Sequence, residues 1–183
     1  MMTSARAKEL LRRELLARRR QLRDSPERKA ELDSQITRHA LALVRELNAR
    51  TVAAYDPFPT EPAGRGFPAA LAAEVPTLLL PVTLPHGLMA WKDYEGSEQL
   101  PPGILASCDV VLVPAAAVDK SGLRLGKGGG YYDRALAGLS VPTAAVVYHD
   151  EYVHTVPHDP HDVAVSAIIT EEGWWRSEGT KTP

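Results

Sequence analysis

The segment richest in potential chemistry is a glycine-rich stretch over residues 119–134, with the sequence DKSGLRLGKGGGYYDR. Glycines let backbone N–H groups turn inward toward a ligand, and a following helix N-terminus adds partial positive charge. Arg124 and Lys127 supply full charges that suit phosphate oxygens. Asp133 stands in the first turn of the predicted helix, where a carboxylate could ligate a metal held by phosphates. The stretch predicts an anion site.

Two established phosphate-binding patterns do not fit this stretch. A P-loop needs Ser or Thr directly after its lysine, whereas Gly128 follows Lys127. The dinucleotide pattern needs a third glycine where Tyr131 stands. The alternative is a flexible hairpin, or a loop leading into a helix, without any ligand. Two cations and an acid beside the helix start favour the ligand.

A second basic feature lies near the start of the chain. Lys8 and Arg12 are four residues apart and share one face of a predicted helix. Two cations so placed repel each other unless an anion bridges them. Taken alone, the pair is more typical of a solvated basic face, because most charged side chains are exposed.

Two acids follow the first predicted strand, at Asp56 and Glu61. Ligands of α/β sheets gather at the carboxyl ends of strands, so both acids are binding candidates. A carboxylate there can accept hydrogen bonds from amino and ring N–H groups of a ligand. The equally weighted alternative for Glu61 is a solvated loop side chain.

A cluster of histidines and aspartates, HTVPHDPHD, covers residues 154–162. Histidine and carboxylate suit zinc or iron, but Pro157 and Pro160 prevent a helix that would align the histidines. A dedicated histidine metal site is therefore disfavoured. Trp91 could stack on a flat ligand, although core packing is the more common role of a tryptophan. Cys108 lies in a predicted buried strand and should be an inert core residue.

Alternating strands and helices must position these residues, which predicts an α/β fold with a mainly parallel sheet after two N-terminal helices. Helices are predicted over 4–23, 26–48, 67–74 and 131–139. Strands are predicted over 51–55, 77–82, 88–91, 108–113, 143–148 and 163–169. We expect a single domain over 1–183, with N-terminal helices over 4–48, an α/β body over 51–170 and a polar tail over 171–183, of which the last ten residues should be frayed.

Composition narrows the class of protein. The 183 residues are 44% hydrophobic and include one cysteine, which excludes an intrachain disulfide and a four-cysteine zinc site. The charged start and the lack of an apolar run of roughly 18 residues predict a cytoplasmic protein without a membrane span. Residues 1–50 carry 13 Lys or Arg against 7 Asp or Glu, and the rest carries 8 against 16. A basic N-terminal segment of this kind is typical of proteins with a phosphate or nucleic-acid partner.

The segment from Arg124 to Asp133, RLGKGGGYYD, resembles the signature of the 5-formyltetrahydrofolate cyclo-ligase family, also called 5,10-methenyltetrahydrofolate synthetases. A buried strand ending in Val113-Pro114 and then Asp119 precede the signature. Weaker matches extend the resemblance over nearly the whole chain, at Lys8 and Arg12, at Tyr55 to Glu61 and at Asp159 to Thr170. The resemblance implies a three-layer α/β/α fold similar to the ribose-5-phosphate isomerase and CoA-transferase group.

The resemblance also implies residue roles. It assigns ATP to Lys8, Arg12, Arg124, Leu125, Gly126, Lys127, Gly128, Gly129, Gly130, Tyr131 and Tyr132. It assigns folate to Asp56, Glu61, Trp91 and Tyr132. It implies magnesium on Asp133 and Asp162, with His161 orienting Asp162, and catalytic roles for Arg124 and Lys127.

The implied reaction converts 5-formyltetrahydrofolate and ATP to 5,10-methenyltetrahydrofolate, ADP and phosphate, through phosphorylation of the formyl oxygen. The implied partners are the folate, with or without a polyglutamate tail, and ATP as co-substrate, for a monomer that needs no membrane. A nucleic-acid binder is the rival from another class, but no aromatic interleaving or zinc ligands support it.

Two departures from the family pattern keep a non-catalytic or altered-substrate relative as the alternative. Residues 99–105 lack the Gly-x-x-Glu-Pro segment of many relatives. Ser166 stands where an acid is common, which predicts a changed substrate affinity.

Overall fold

The computed structural model describes residues 2–179, and it has helices on both faces of a seven-stranded sheet. The helices are α1 (Ser4–Arg23), α2 (Pro26–Glu46), α3 (Phe67–Glu74) and α4 (Tyr131–Leu136). The strands are β1 (Thr51–Ala53), β2 (Thr77–Thr83), β3 (Met89–Asp93), β4 (Val110–Pro114), β5 (Ala117–Val118), β6 (Arg124–Leu125), β7 (Thr143–Val146), β8 (Ala167–Thr170) and β9 (Gly173–Arg176).

The main sheet has the strand order β3-β2-β1-β4-β7-β8-β9. Its five central strands pair in parallel, and β3 and β9 pair antiparallel at the two edges. A separate antiparallel hairpin joins β5 and β6. The carboxyl ends of β1, β4, β7 and β8 therefore meet at one edge of the sheet, where an α/β protein places its ligand.

Alternate residues of each central strand face opposite sides of the sheet, which gives three layers. In β4, Leu112 joins an apolar cluster under α2 and α3, with Ile36 and Phe67. Val111 and Val113 join the cluster on the other face, which contains Leu136 of α4. Parallel strands buried on both faces need continuous apolar sequence, and VVLV supplies it.

The first half of α1 packs on the β5–β6 hairpin, whereas Leu22 near its end packs against the apolar cluster under α2 and α3. Leu15 is buried in a third apolar cluster with Leu125 and Val156. Thr3 caps the helix by accepting a hydrogen bond from the Arg6 amide. Since Lys8, Arg12 and Leu15 are spaced by four and three residues, they lie on the same face of α1, and Leu15 packs on the hairpin.

The predicted α/β class with two N-terminal helices is confirmed, and α1 begins and ends at the predicted residues. The predicted tail is wrong in part: residues 173–176 form β9, whose backbone pairs with β8. Helix α4 ends at Leu136, three residues short of the prediction. Residues 180–183 of the predicted tail lie outside the described residues. Within residues 2–179, no helix combines the length and apolar character that a membrane crossing requires.

Candidate active site

The glycine-rich loop, residues 126–130, leaves the β5–β6 hairpin and leads into α4. The buried carboxylate of Asp119 shapes this hairpin from inside. One of its oxygens accepts hydrogen bonds from the Ser121 and Leu123 amides, and the other accepts one from the Val156 amide at 2.9 Å. Asp119 therefore has a structural role, fixing the hairpin against residues 153–156.

Helix α1 contacts the glycine-rich loop through Arg12. The Arg12 Nε donates to the Gly126 carbonyl oxygen at 2.7 Å. Gly128 adopts a φ of +109°, which L side chains rarely reach, and a Cβ there would lie 3.9 Å from Arg12 Cζ. The structure thus brings Arg12 of the predicted basic pair to the predicted anion loop.

Lys8 lies between two carboxylates of the histidine and aspartate cluster. Its Nζ donates to Asp159 Oδ2 at 2.7 Å and to Asp162 Oδ2 at 2.6 Å. The ligand atoms of Asp159, His161 and Asp162 lie within 4.8 Å of one another. The hydrogen bonds to Lys8 hold the pKa of both carboxyls below the ordinary value, against the raising effect of burial, which is the largest influence at Asp162.

Arg124 lies beneath the loop, with only 2% of its side chain exposed. Its Nη2 donates to Asp133 Oδ1 at 2.9 Å, and its Nη1 lies 3.4 Å from where a Gly126 Cβ would be. Among the described residues, Arg124 Nε is one of two buried side-chain donors without a hydrogen-bond partner. Burial lowers the pKa of this guanidinium, while the charges of Asp133 and Asp162 raise it.

The loop between β1 and α3, residues 54–66, carries Glu61 and is called the Glu61 loop below. Glu61 Oε1 lies 2.6 Å from Lys127 Nζ, and Oε2 accepts a hydrogen bond from the Phe58 amide at 2.8 Å. The Lys127 ammonium also lies 4.7 Å from the Phe58 ring centroid. The Glu61 side chain is 4% exposed, whereas that of Lys127 is 44% exposed.

Tyr132 completes the contact between the two loops. Its ring lies 5.9 Å from Arg124 Cζ. Burial raises the pKa of Tyr132, and so does the charge of Glu61. The phenol therefore stays a neutral hydrogen-bonding group beside both predicted ligand sites.

Other predicted site residues stand apart from this group. Trp91 is fully buried in the core of β3, and its Nε1 has no partner among the described atoms. The stacking of Trp91 on a substrate stays a prediction, and in this conformation neither ring face reaches solvent. Asp56 is exposed near the end of β1. Tyr131 is half-buried at the start of α4.

Ser166 does not lie at the ligand edge of the sheet. Its Oγ accepts from the Thr143 amide and donates to the Thr143 carbonyl oxygen, each at 2.8 Å. Both residues stand at the amino ends of β7 and β8, opposite the edge that carries Glu61. The prediction that Ser166 alters substrate binding is therefore not supported by its position.

With the site described, the comparison with known proteins is decisive. A family model described as the 5-formyltetrahydrofolate cyclo-ligase family matches residues 4–171. The chain belongs to this family. A 5-formyltetrahydrofolate cyclo-ligase of Mycolicibacterium smegmatis is 35% identical, over 91% of this chain and 95% of the relative. One from Haemophilus influenzae is 27% identical, over 75% of this chain and 84% of the relative.

Solved structures give the same family. A 5,10-methenyltetrahydrofolate synthetase from Mycoplasma pneumoniae superposes with a TM-score of 0.76 at 28% identity, over 90% of this chain and 99% of the other. One from Aquifex aeolicus also gives a TM-score of 0.76, at 23% identity over 96% and 95% of the two chains. The second likeness concerns the fold alone.

The structure also shows contacts of residues to which the sequence motifs gave no role. Phe58 lies under Lys127, and the only sequence signal for it is an aromatic between two prolines. Asp159 shares Lys8 with Asp162. Arg19 and Glu151 form a fully buried ion pair at 2.6 Å, which ties α1 to the end of β7.

Proposed function

We propose that this protein uses ATP to convert 5-formyltetrahydrofolate to 5,10-methenyltetrahydrofolate, with release of ADP and phosphate. Family membership and the name of the Mycolicibacterium smegmatis relative support the proposal. One contact carries it in this chain: Lys127 of the anion loop lies 2.6 Å from Glu61 of the strand-end loop. A reaction that transfers phosphate to a folate needs two ligand sites that meet in this way.

The chemistry explains why both sites are required. A formamide carbonyl is a poor electrophile, and hydroxide is a poor leaving group. In the proposed reaction the formyl oxygen attacks the γ-phosphorus in line, and ADP leaves. Nitrogen 10 then adds to the activated formyl carbon, and inorganic phosphate departs as the nitrogen loses its proton. Such transfers depend mainly on positioning and charge neutralisation.

Residues around the glycine-rich loop supply the phosphate side of the proposal. Lys127 is exposed enough to reach a phosphate oxygen, and Arg12 lies against the loop from α1. Arg124 adds positive charge from beneath the loop, because its guanidinium lies under Gly126. Lys8, which is on α1 with Arg12 and contacts Asp162, is the fourth cation. Low exposure strengthens the charges of Arg124, Lys8 and Arg12, whereas Lys127 is 44% exposed.

Glu61 and Tyr132 form the folate side of the proposal, with Asp56 at the exposed end of the same strand. The Glu61 carboxylate is buried but retains acceptor capacity beyond Lys127 and the Phe58 amide, since each oxygen can accept more than one hydrogen bond. Amino and ring N–H groups of a pterin are suitable donors. The neutral phenol of Tyr132 can donate or accept beside them.

Magnesium is the metal that we propose for this reaction, and the donor set fits it. Asp133 and Asp162 offer hard carboxylate oxygens, which magnesium prefers. The charges of both act on the Arg124 guanidinium, so both carboxylates lie in its neighbourhood. When bound, the ion would neutralise phosphate charge. The chain's own Lys8 orients the Asp162 carboxylate, and Arg124 orients the Asp133 carboxylate.

The test is a near-UV assay for methenyltetrahydrofolate from 5-formyltetrahydrofolate with magnesium-ATP. We expect product only when ATP and magnesium are both present. Binding of both ligands without turnover would favour the non-catalytic relative. Binding of neither would contradict the proposed function.

We further propose that the protein acts as a monomer on these two small molecules. The phosphate side and the folate side already meet within one chain, through Lys127 and Glu61. Light scattering after size-exclusion chromatography tests this point, and a dimer that loses activity on dilution would contradict it.

A further inference from the structure

The backbone of the Glu61 loop has an unusual conformation directly after Glu61. Ala63 has a φ of +78° and Gly64 a φ of +72°. A residue with a Cβ is disfavoured in the left-handed region, and such conformations persist only where neighbouring groups hold them. The loop that carries the Glu61 carboxylate therefore depends on outside contacts for its shape.

Helix α2 supplies these contacts through Lys29 and Asp33. Lys29 Nζ donates to the Glu61 carbonyl oxygen at 2.9 Å. Asp33 Oδ1 accepts from the Ala63 amide at 3.1 Å, and Asp33 Oδ2 accepts from Lys29 at 2.6 Å. From the strand side, Tyr55 donates to the Pro62 carbonyl oxygen at 2.9 Å. Three consecutive residues of the loop are thus held by side chains.

The fit between the loop and α2 leaves no room for a larger residue. A Cβ on Gly64 would lie 2.8 Å from Asp33 Oδ2, which is closer than real Cβ contacts come. Tyr148, after β7, donates to the same Asp33 carboxylate at 2.8 Å. Asp33 therefore has little freedom to move away from the loop.

The free energy needed to bury the ion pair of Lys29 and Asp33 indicates a role beyond stability. Lys29 and Asp33 are only 8% and 7% exposed. Burying an ion pair removes two charges from water, and well-packed apolar residues are often as stabilising. Such a pair instead specifies one conformation, which here is the conformation that points the Glu61 carboxylate at Lys127.

We propose that Lys29 and Asp33 are positioning residues for Glu61, fixing its backbone so that the carboxylate faces both Lys127 and the folate. This inference rests on the proposed function. Neither residue touches a ligand in this account, so both act through Glu61. Their loss should affect the folate site and leave the phosphate site largely intact.

The test compares Lys29→Met and Gly64→Ala, which disturb the contact from its two sides, with Glu74→Gln. Glu74 pairs with Arg45 of α2 at 2.6 Å on the exposed surface, so its variant is a matched control. For both test variants we expect the KM for 5-formyltetrahydrofolate to rise about tenfold. The KM for magnesium-ATP should rise less than the folate KM, because Arg12 and Arg124 lie against the glycine-rich loop without contacting Glu61. A role that is not specific to Glu61 would change both KM values in parallel.

An unchanged folate KM in a folded Lys29→Met protein would overturn the proposal, and so would a parallel rise of both KM values. Should Lys29→Met not fold, Gly64→Ala decides by the same criteria. Amide hydrogen exchange of residues 58–64 is independent of turnover: exchange should be faster in Lys29→Met or Gly64→Ala than in Glu74→Gln, and equal exchange overturns the inference. A wild-type protein without turnover would instead contradict the proposed function.

Discussion

Lys127 and Glu61 are joined by an ion pair of 2.6 Å, although they belong to loops from opposite parts of the chain. The buried carboxylate and the half-exposed ammonium connect the proposed folate side with the proposed phosphate side. The two residues should therefore not act independently.

A double-mutant cycle tests this connection. We expect Lys127→Met to lower kcat/KM by about 10²-fold, as for other lost transition-state donors. Glu61→Gln should raise the folate KM, and the double variant should lose less than the two single effects combined. The coupling should be on the order of 0.5–3 kcal/mol. Lys120 and Glu178, an exposed pair at 3.6 Å, provide the control cycle, in which the effects should add.

Arg124 provides the second prediction. Its guanidinium is buried under the loop and bonded to Asp133, so Arg124→Ala removes a charge that water cannot replace. We expect kcat/KM to fall by about 10²–10³, roughly 2.7–4 kcal/mol of transition-state stabilisation. Steady-state kinetics measure the effect. The control is Lys120→Ala, which changes an exposed residue of the hairpin. A wild-type kcat/KM for Arg124→Ala would show that the proposed role is wrong.

The third prediction concerns pH and the contacts of Lys8. The pKa values of Asp159 and Asp162 lie below the ordinary 3.8, and the pKa of Lys8 lies above its ordinary 10.5 because the two carboxylates outweigh burial. A carboxyl group whose pKa is lowered by folding stabilises the fold at pH values above its pKa in the unfolded chain. This stabilisation is lost as the pH falls through its pKa in the folded protein. A lysine whose pKa is raised by folding stabilises the fold at pH values below its ordinary pKa of 10.5. This stabilisation is lost as the pH rises through the pKa in the folded protein.

The stabilisation from Lys8 should accordingly be constant between about pH 5 and 10 and disappear in acid. Urea unfolding of wild type and Lys8→Met from pH 7 to pH 2 measures it. The difference in unfolding free energy should shrink below the ordinary carboxyl pKa of 3.8. A difference that persists unchanged at pH 2 would mean that Lys8 acts through packing instead.

The fourth prediction concerns the buried pair of Arg19 and Glu151, whose side chains are 1% and 2% exposed. Glu151→Gln leaves the guanidinium without a countercharge and should cost about 3–5 kcal/mol in the free energy of unfolding. Replacing both residues by methionine should cost less, because no charge stays buried. Denaturant titrations compare the three proteins. Equal losses for the single and double variants would exclude this explanation.

The sequence was a good guide where local chemistry decides the structure. Asp24-Ser25-Pro26 ends one helix and starts the next, so the boundary between α1 and α2 matches the prediction. β5 and β6 have two residues each, too short for periodicity to indicate a strand. The prediction of a polar tail misses β9, whose backbone pairs with β8.

The residues of the candidate site also divide into those that local sequence indicates and those that only tertiary packing reveals. The glycine-rich signature is contiguous, so its members could be found from the sequence. Arg19 could not, because α1 contains seven arginines and only tertiary packing makes this one buried. Lys29 and Asp33 look like an ordinary exposed i, i+4 pair until the Glu61 loop covers them. The burial of Trp91 agrees with core packing, the more common role of a tryptophan.

The contacts of Lys8 have a consequence for biosynthesis. Its partners Asp159 and Asp162 are 151 and 154 positions away along the chain. Because synthesis proceeds from the N-terminus, α1 leaves the ribosome long before the residues that hold its first turn. A nascent chain that ends before residue 159 therefore lacks both carboxylate partners of Lys8, so the start of α1 can be fixed in place only when nearly the whole chain has been made.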